Sequence, residues 1–534
     1  MGRSKRHRQR VRFELESVAA KSLRGLLVRT LSAEYGCNRV EAEALAVRSL
    51  EWLPMLGAVA VPGQTRLSVP ATRSKRQARI QRCDVLVTAV EVGEDTAVWE
   101  AFGLTVLQRR RLLRWLDEIG RQGGWASLAE LAAWANLTPT ALGARLAPVR
   151  RLGIWLAHVG GPEPSADRLG WEAWLLDCYL AGGRVEAQRA LLGVTVGAWE
   201  ALLRRFVAVV EQAAGVGDAQ EVAATVGRAE HEVAQFQVVA RRHRRSRTLA
   251  GLRTAYGGRA AARAAAEDPI AALEAELVGQ VGFSAVSARA FRQWLAELAG
   301  RLGGTPLGDG ELVFFAISAD EGARAQLAEA RQVPVRLGFF TDADAQTSCY
   351  GPAPTRVAEL KFARLLRWAT AARAQGALLT LPDLAVLAGI SVDAIRRQLA
   401  AHPEVVVPTR GRVKDIGRGL THKTQIVELY LQLHTETEVC ERTGHSYASV
   451  EAYLREFARV VTLADQGLNQ VMIRRVTGRS MALVAAYLGL YRRYDAPEYH
   501  FRLAQLRNVF ARDELASEKR GAASRSGSTR GAGR

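Results

Sequence analysis

Along most of the chain, apolar residues recur at the three- and four-residue spacing of amphipathic helices. In two places they crowd instead into short runs rich in β-branched and aromatic residues. Those runs, Leu312–Ile317 (LVFFAI) and Val333–Phe340 (VPVRLGFF), read as strands. Pro269–Leu302 reads as a helical hairpin around Val281-Gly282-Phe283, and Arg356–Ala374 as a helix. One pattern then comes three times. A small residue lets two helices approach. Four residues later a Gly makes the tight turn, a Ser caps the next helix, and an apolar residue anchors that helix. The members are Ala385, Gly389, Ser391 and Ile395; then Cys440, Gly444, Ser446 and Val450; then Gly478, Ser480 and Val484, with Arg474 in the small position. These are three helix-turn-helix units.

The first half of the chain repeats the scheme. LLRW at Leu112–Trp115 returns at Leu365–Trp368, 253 residues later, and the offset holds without a gap through Leu146 and Leu399. Farther on, Tyr179-Leu180 matches Tyr430-Leu431 at an offset of 251, which also pairs Gly193 with Gly444 and Phe206 with Phe457. The turn residues of the first half are Ala132, Asn136, Thr138 and Leu142; Gly193, Thr195 and Trp199; and Ala223, Gly227 and Val233. Repeats of this kind imply duplicated structural units.

The second half adds Glu404–Ile416 (EVVVPTRGRVKDI) directly after its first unit. Three Val predict a strand, Pro408–Gly411 a turn and Arg412–Ile416 a returning strand, which together make a winged helix. The expected fold class is therefore mainly α with small β elements. It comprises two tandem copies, each with a winged helix and two further helix-turn-helix units.

The expected boundaries are a basic tail at 1–12, a helical/β part at 13–110 and a diverged helix-turn-helix array at 111–243. A basic linker follows at 244–268, then a helical/β part at 269–354, the main array at 355–500 and a Ser/Gly/Arg tail at 513–534.

Three stretches carry a resemblance: VVVPTRGRVKDIGRGLTHKTQIVELYL (Val405–Leu431), TGHSYASVEAYLREFARVV (Thr443–Val461) and RRYDAPEY (Arg492–Tyr499). They resemble the prokaryotic family catalogued as domain of unknown function 1670, most clearly over 305–500. The first half looks like a diverged member, with PVRRLGIWLAHVGGPEPSAD (Pro148–Asp167) in place of the PTRG…DIG…THK stretch. The resemblance implies helix-turn-helix-like segments and supplies no activity.

Charge supplies the functional expectation. With 73 Lys+Arg against 54 Asp+Glu the chain is +19, and its basic blocks include Arg3–Arg12 and Arg241–Arg247. Such a balance attracts nucleic acid through counterion release. Five scattered Cys (Cys37, Cys83, Cys178, Cys349 and Cys440) include no CxxC, which speaks against a disulfide framework or a zinc ribbon and suits a reducing cytoplasm. His434, Cys440 and His445 match no common metal spacing, and no metal or cofactor is expected. No phosphate-binding glycine loop, GxSxG or HExxH is present.

The residues expected to meet duplex DNA fall in four sets. Arg396, Arg397 and Gln398 lie on the second helix of the winged unit, where Arg reads guanine and Gln adenine. Thr409, Arg410, Arg412 and Lys414 form the wing, and His422 and Lys423 open the next helix, all facing phosphate. Arg455 belongs to the second unit. Arg474, Arg475 and Arg479 belong to the third. Trp115 and Trp368 are expected in the core.

The reading is a cytoplasmic, nucleoid-associated DNA-binding protein, sequence-specific or architectural, and foremost a transcriptional regulator, with the first copy open to a protein partner. Two alternatives stand beside it: a protein-interaction scaffold with basic tails, and a nucleic-acid-processing enzyme using Asp415, His422 and Lys423.

Overall fold

The computed structural model describes residues 2–53, 56, 61–79, 81–162, 168–213, 218–226, 230–256, 274–275, 277–279, 282–302, 306–323, 325, 327, 329–341, 344, 355–402, 405–414, 420–443, 445–506 and 508. The chain forms two compact units, Met1–Ala401 and His402–Arg534. It is mainly helical, with one small antiparallel sheet.

The first unit opens with helices α1 (Gly2–Ala19), α2 (Leu23–Glu34) and α3 (Arg39–Trp52) and strands β1 (Gln64–Pro70) and β2 (Arg82–Thr88). Helices α4 (Val92–Phe102), α5 (Leu104–Arg121), α6 (Leu128–Trp134) and α7 (Pro139–Arg151) follow. Next come α8 (Trp171–Leu180), α9 (Glu186–Leu192), α10 (Val196–Ala213), α11 (Ala219–Val226), α12 (Glu230–Arg242) and α13 (Arg247–Tyr256). Beyond residue 273 the unit continues with α14 (Ala285–Leu302), β3 (Glu311–Ser318), β4 (Gln332–Gly338), α15 (Thr355–Ala374), the two-residue β5 (Ala377–Leu378), α16 (Leu381–Ala388) and α17 (Val392–Ala401).

The sheet joins the two halves of the sequence. Its order is β2-β1-β3-β4, with β5 also on β3, and β1 meets β3 antiparallel at Thr65 and Leu312. The LVFFAI run is apolar throughout because both faces of β3 are covered. Leu312, Phe314 and Ala316 enter the main core with Trp115 and Trp368. Val313 and Phe315 turn into a second core beneath α2, α3 and α14.

One set of hydrogen bonds recurs along the chain, its donors 253 residues apart and its acceptors 249 or 250. Trp115 Nε1 donates to the Thr88 carbonyl at 3.0 Å and Trp368 Nε1 to the Gly338 carbonyl at 2.8 Å. The Gln122 amide brackets the backbone of Leu86 in β2, and that of Gln375 brackets Arg336 in β4. Arg111 and Arg114 bind Asp95, and Arg364 and Arg367 bind Asp344.

The arginines of α5 and α15 also cross between halves. Arg111 Nη2 donates to the Val386 carbonyl at 2.7 Å, and Arg364 Nη1 to the Ala133 carbonyl at 2.8 Å. Each carbonyl ends the helix before a helix-turn-helix turn.

The N-terminal stretch 1–12, expected as a tail, belongs instead to helix α1 from Gly2 onward. Within that stretch Val11 packs against the main core and Arg10 pairs with Asp393, which a solvated tail would not do. The next residue anchor is Lys21. Fully buried, it pairs with the equally buried Asp383 of α16 and lies 3.4 Å from Thr380 Oγ1.

The second unit holds α18 (Arg410–Val413), α19 (Leu420–Leu431), α20 (Glu436–Thr443), α21 (Tyr447–Asp465), α22 (Gln470–Thr477) and α23 (Met481–Arg493) around its own core of Ile426, Leu454, Phe457, Val484 and Tyr487. Among the described residues the expected wing is not formed. Residues 406–409 are irregular and Arg410–Val413 is a helical turn. Thr409 and Arg410 carbonyls accept from Arg412, Val413 and Lys414, so those N–H groups are unavailable to a returning strand. Pro408 offers no N–H at all. Residues 403–404 and 415–416 of the expected hairpin lie outside the described residues.

Candidate nucleic-acid interface

The helix-turn-helix corners form as their local chemistry demands. Gly389, Gly193 and Gly478 adopt φ of 63°, 69° and 67°, and Asn136 does so at 55°. Only residues that tolerate the left-handed region can turn the chain this way. Ser391, Thr138, Thr195, Ser446 and Ser480 each accept from a backbone N–H three residues on, capping the following helix. Gly227 and Gly444 lie outside the described residues.

The corner at α16–α17 presents Arg396 and Arg397 on its exposed face and Ile395 in the core. The basic helix α1 runs past the first turn of α17. Arg10 Nη2 donates to Asp393 Oδ2 at 2.7 Å, and Arg396 Nη1 donates to Asp393 Oδ1 at 2.9 Å. Arg396 also stands 3.8 Å from Glu14 of α1. Slight burial pushes the Asp393 carboxyl up, but the Arg10 and Arg396 guanidiniums outweigh it and hold it below the usual carboxylate range. Arg397 touches only the Asp393 carbonyl, at 3.4 Å, and has no carboxylate partner among the described residues. Gln398 is half-buried beside it. The corresponding helix α7 offers Gly143 and Ala144 at these positions, while Arg145 is tied to Gln108 Oε1 at 2.9 Å.

The turns of the two corresponding corners are not open surfaces. Asn136 Nδ2 donates to the Ala388 carbonyl at 3.1 Å, and Gln108 Nε2 to the Gly389 carbonyl at 2.9 Å. Each turn is thus bound by the other half of the first unit.

The expected wing set is a packed segment rather than an exposed tip. Thr409 and Arg410 are buried. Arg412 donates to Gln425 Oε1 at 2.5 Å, and burial lowers its guanidinium pKa. Lys414 is half-buried. Lys423 lies 4.8 Å from the centre of the Tyr453 ring and 3.6 Å from Glu456. The side chain of His422, and Asp415 altogether, lie outside the described residues. Arg455 pairs with Glu451 and Arg479 with Glu456. Arg474 and Arg475 are exposed, with no ion pair among the described residues.

Two charged networks escaped sequence reasoning. One is the Arg111/Arg364 exchange, in which each arginine directly precedes an LLRW stretch. The other lies among α5, α8, α10 and α12, where Arg121 and Arg205 each bridge Glu172 and Glu232, and Asp117 joins Arg121. Three carboxylates face two guanidiniums. Burial therefore raises Asp117 to about 7, with Arg121 opposing and Glu172 and Glu232 reinforcing. Nothing in the local sequence places these helices together.

No described helix is long and apolar enough to cross a membrane. Residues 301–490 match a family model described as Protein of unknown function (DUF1670), the family that the sequence motifs resemble. No curated protein and no solved structure matches the chain.

Proposed function

We propose that this protein binds duplex DNA through a composite basic surface of its first unit, formed by α1 and α17, and acts as a transcriptional regulator. The observation that carries the reading is the Arg10–Asp393 contact, made where the basic helix, anchored by Leu15, Val18 and Lys21, passes the helix-turn-helix corner. In the turns before Arg10, α1 carries Arg3, Lys5, Arg6 and Arg8. Cations of this kind supply phosphate affinity and register, and Arg397 and Gln398 on α17 are the base-reading candidates. The two halves of the sequence are read as tandem copies that pair within the chain as a symmetric dimer does. The recurrence of the Trp, Gln and Arg donors at an offset of 253, with acceptors 249 or 250 residues apart, supports this.

The experiment is fluorescence anisotropy of the full chain with a random duplex of about 30 base pairs across a salt series. Each phosphate neutralised contributes about 0.9 to the slope of log affinity against log salt. Arg10→Ala/Arg396→Ala/Arg397→Ala is expected to flatten that slope by 2 to 3. Arg410→Ala/Arg412→Ala, in a packed segment, is expected to leave the slope unchanged wherever the fold survives. Binding indifferent to the α1/α17 triple would overturn the assignment.

A second reading, the protein-interaction scaffold, has one observation in its favour. The turns at Asn136 and Gly389 are bound within the first unit, so these corners also work as packing devices. Absence of duplex binding at low salt would select it.

A further inference from the structure

Helix α22 in the second unit keeps only Ile473 buried. The rest of its circumference carries Val471, Met472, Arg474, Arg475 and Val476, all exposed, and Met481 at the start of α23 extends the surface. Val471, Met472 and Val476 are each close to half exposed, at 49%, 46% and 48%. A scattered exposed Val is unremarkable in a globular protein, but four apolar side chains around one solvent-facing corner form a patch. Two exposed guanidiniums border it, Arg475 between Val471 and Met472 around the helix and Arg474 on the flank, and neither has a carboxylate to answer it among the described residues. Arg479 at the edge differs, being held by Glu456 at 2.6 Å.

We infer that this face of α22 docks an acidic amphipathic helix of a partner protein. The composition sets the choice. Arg474 and Arg475 select a negatively charged partner. The Val and Met side chains offer nothing to a phosphate backbone, whereas they suit the apolar stripe of a helix. Methionine in particular adapts its unbranched thioether chain to the shape it meets. An anionic bilayer is the poorer fit, because an eight-residue helix without Trp, Phe or Leu has little to insert. The docking face lies in the second unit and does not depend on the α1/α17 reading.

The test uses the full chain and three fluorescein-labelled probes. These are a designed Leu/Glu peptide with one apolar face, a scrambled peptide of the same composition, and a duplex DNA. Vesicles of phosphatidylserine and phosphatidylcholine form a fourth arm. The amphipathic peptide is expected to bind at least tenfold more tightly than the scrambled one. Arg474→Glu/Arg475→Glu and, separately, Met472→Ser/Val476→Ser should each abolish the difference. All four positions are exposed, so circular dichroism should show the variants folded. Equal binding of both peptides, or none, would overturn the inference. So would Arg474/Arg475-dependent binding of duplex or vesicles that exceeds peptide binding, or a concentration-dependent dimer lost in Met472→Ser/Val476→Ser.

Discussion

Arg111 and Arg364 stand 253 residues apart and perform the same task on each other's half of the first unit. Each is buried, each is held by an aspartate of its own half (Asp95 or Asp344), and each donates to the backbone carbonyl that closes a helix in the opposite half, Val386 or Ala133. A guanidinium is suited to this because its planar fork satisfies a carboxylate and a carbonyl together. The exchange ties two helix-turn-helix corners into one core.

Removing either arginine leaves a buried aspartate and a helix-end carbonyl without that donor. Arg111→Met and Arg364→Met are each expected to destabilise the first unit by about 1–3 kcal/mol, the range for leaving buried polar groups unsatisfied, since Arg114 and Arg367 still pair with the aspartates. Urea denaturation followed by near-ultraviolet circular dichroism measures this. A neutral result for either would mean that the carbonyl contact carries no weight.

The Lys21–Asp383 pair anchors the end of α1 to α16, both side chains being fully buried. Lys21→Met alone should cost about 3–5 kcal/mol, because it leaves Asp383 buried without the ammonium. The double variant Lys21→Met/Asp383→Leu should be markedly less destabilised than the sum of the singles. Strict additivity in the double-mutant cycle would argue against direct coupling.

Asp117 gives the stability a pH dependence opposite to that of an ordinary ion pair. Its folded pKa, raised to about 7, lies above the ordinary aspartate value of 3.8. The folded state therefore holds the proton more tightly, and this contribution to stability is full below about pH 4 and lost as pH rises through 7. Asp117→Asn should flatten the thermal midpoint between pH 5 and 8 relative to the parent chain. An unchanged pH profile would place the titrating group elsewhere.

Asp393 restrains two cations of the proposed DNA surface. Asp393→Ala releases Arg10 and Arg396 and removes a negative charge, so duplex affinity at about 0.1 M salt should rise roughly three- to tenfold, with a steeper salt slope. Loss of an acidic residue from the first turn of α17 should cost about 0.3–1 kcal/mol of stability. Weaker binding by a folded variant would remove α17 from the interface.

Gly389 is under a double constraint. At φ 63° an added Cβ is strained, and it would stand 3.3 Å from Arg111 Nη1. Gly389→Ala should therefore cost upward of about 1 kcal/mol. Gly143→Ala, in open space on α7, should be neutral or stabilising by up to about 1 kcal/mol. Equal midpoints for the two variants in thermal unfolding would contradict the geometry.

The sequence by itself determined the elements whose causes are local. The corners at Gly389, Gly193 and Gly478 were legible because a left-handed turn and a Ser or Thr cap are chemistry within four residues. The strands β3 and β4 were legible as apolar runs, and the core places of Trp115 and Trp368 from the repeat. Tertiary structure decided what those same letters leave open. Val405–Lys414 has strand-like composition, yet Thr409 and Arg410 accept helical bonds, and a hairpin or a helical turn is chosen by whatever packing the segment meets. Every arginine carries the same charge in the sequence. Whether it lies exposed like Arg475, is held by Glu456 like Arg479 or is buried like Arg364 depends on partners brought from distant parts of the chain, which no local pattern encodes. The basic N-terminus read as a tail for the same reason: Arg10 meets Asp393 and Val11 meets the main core, partners that come from far along the chain.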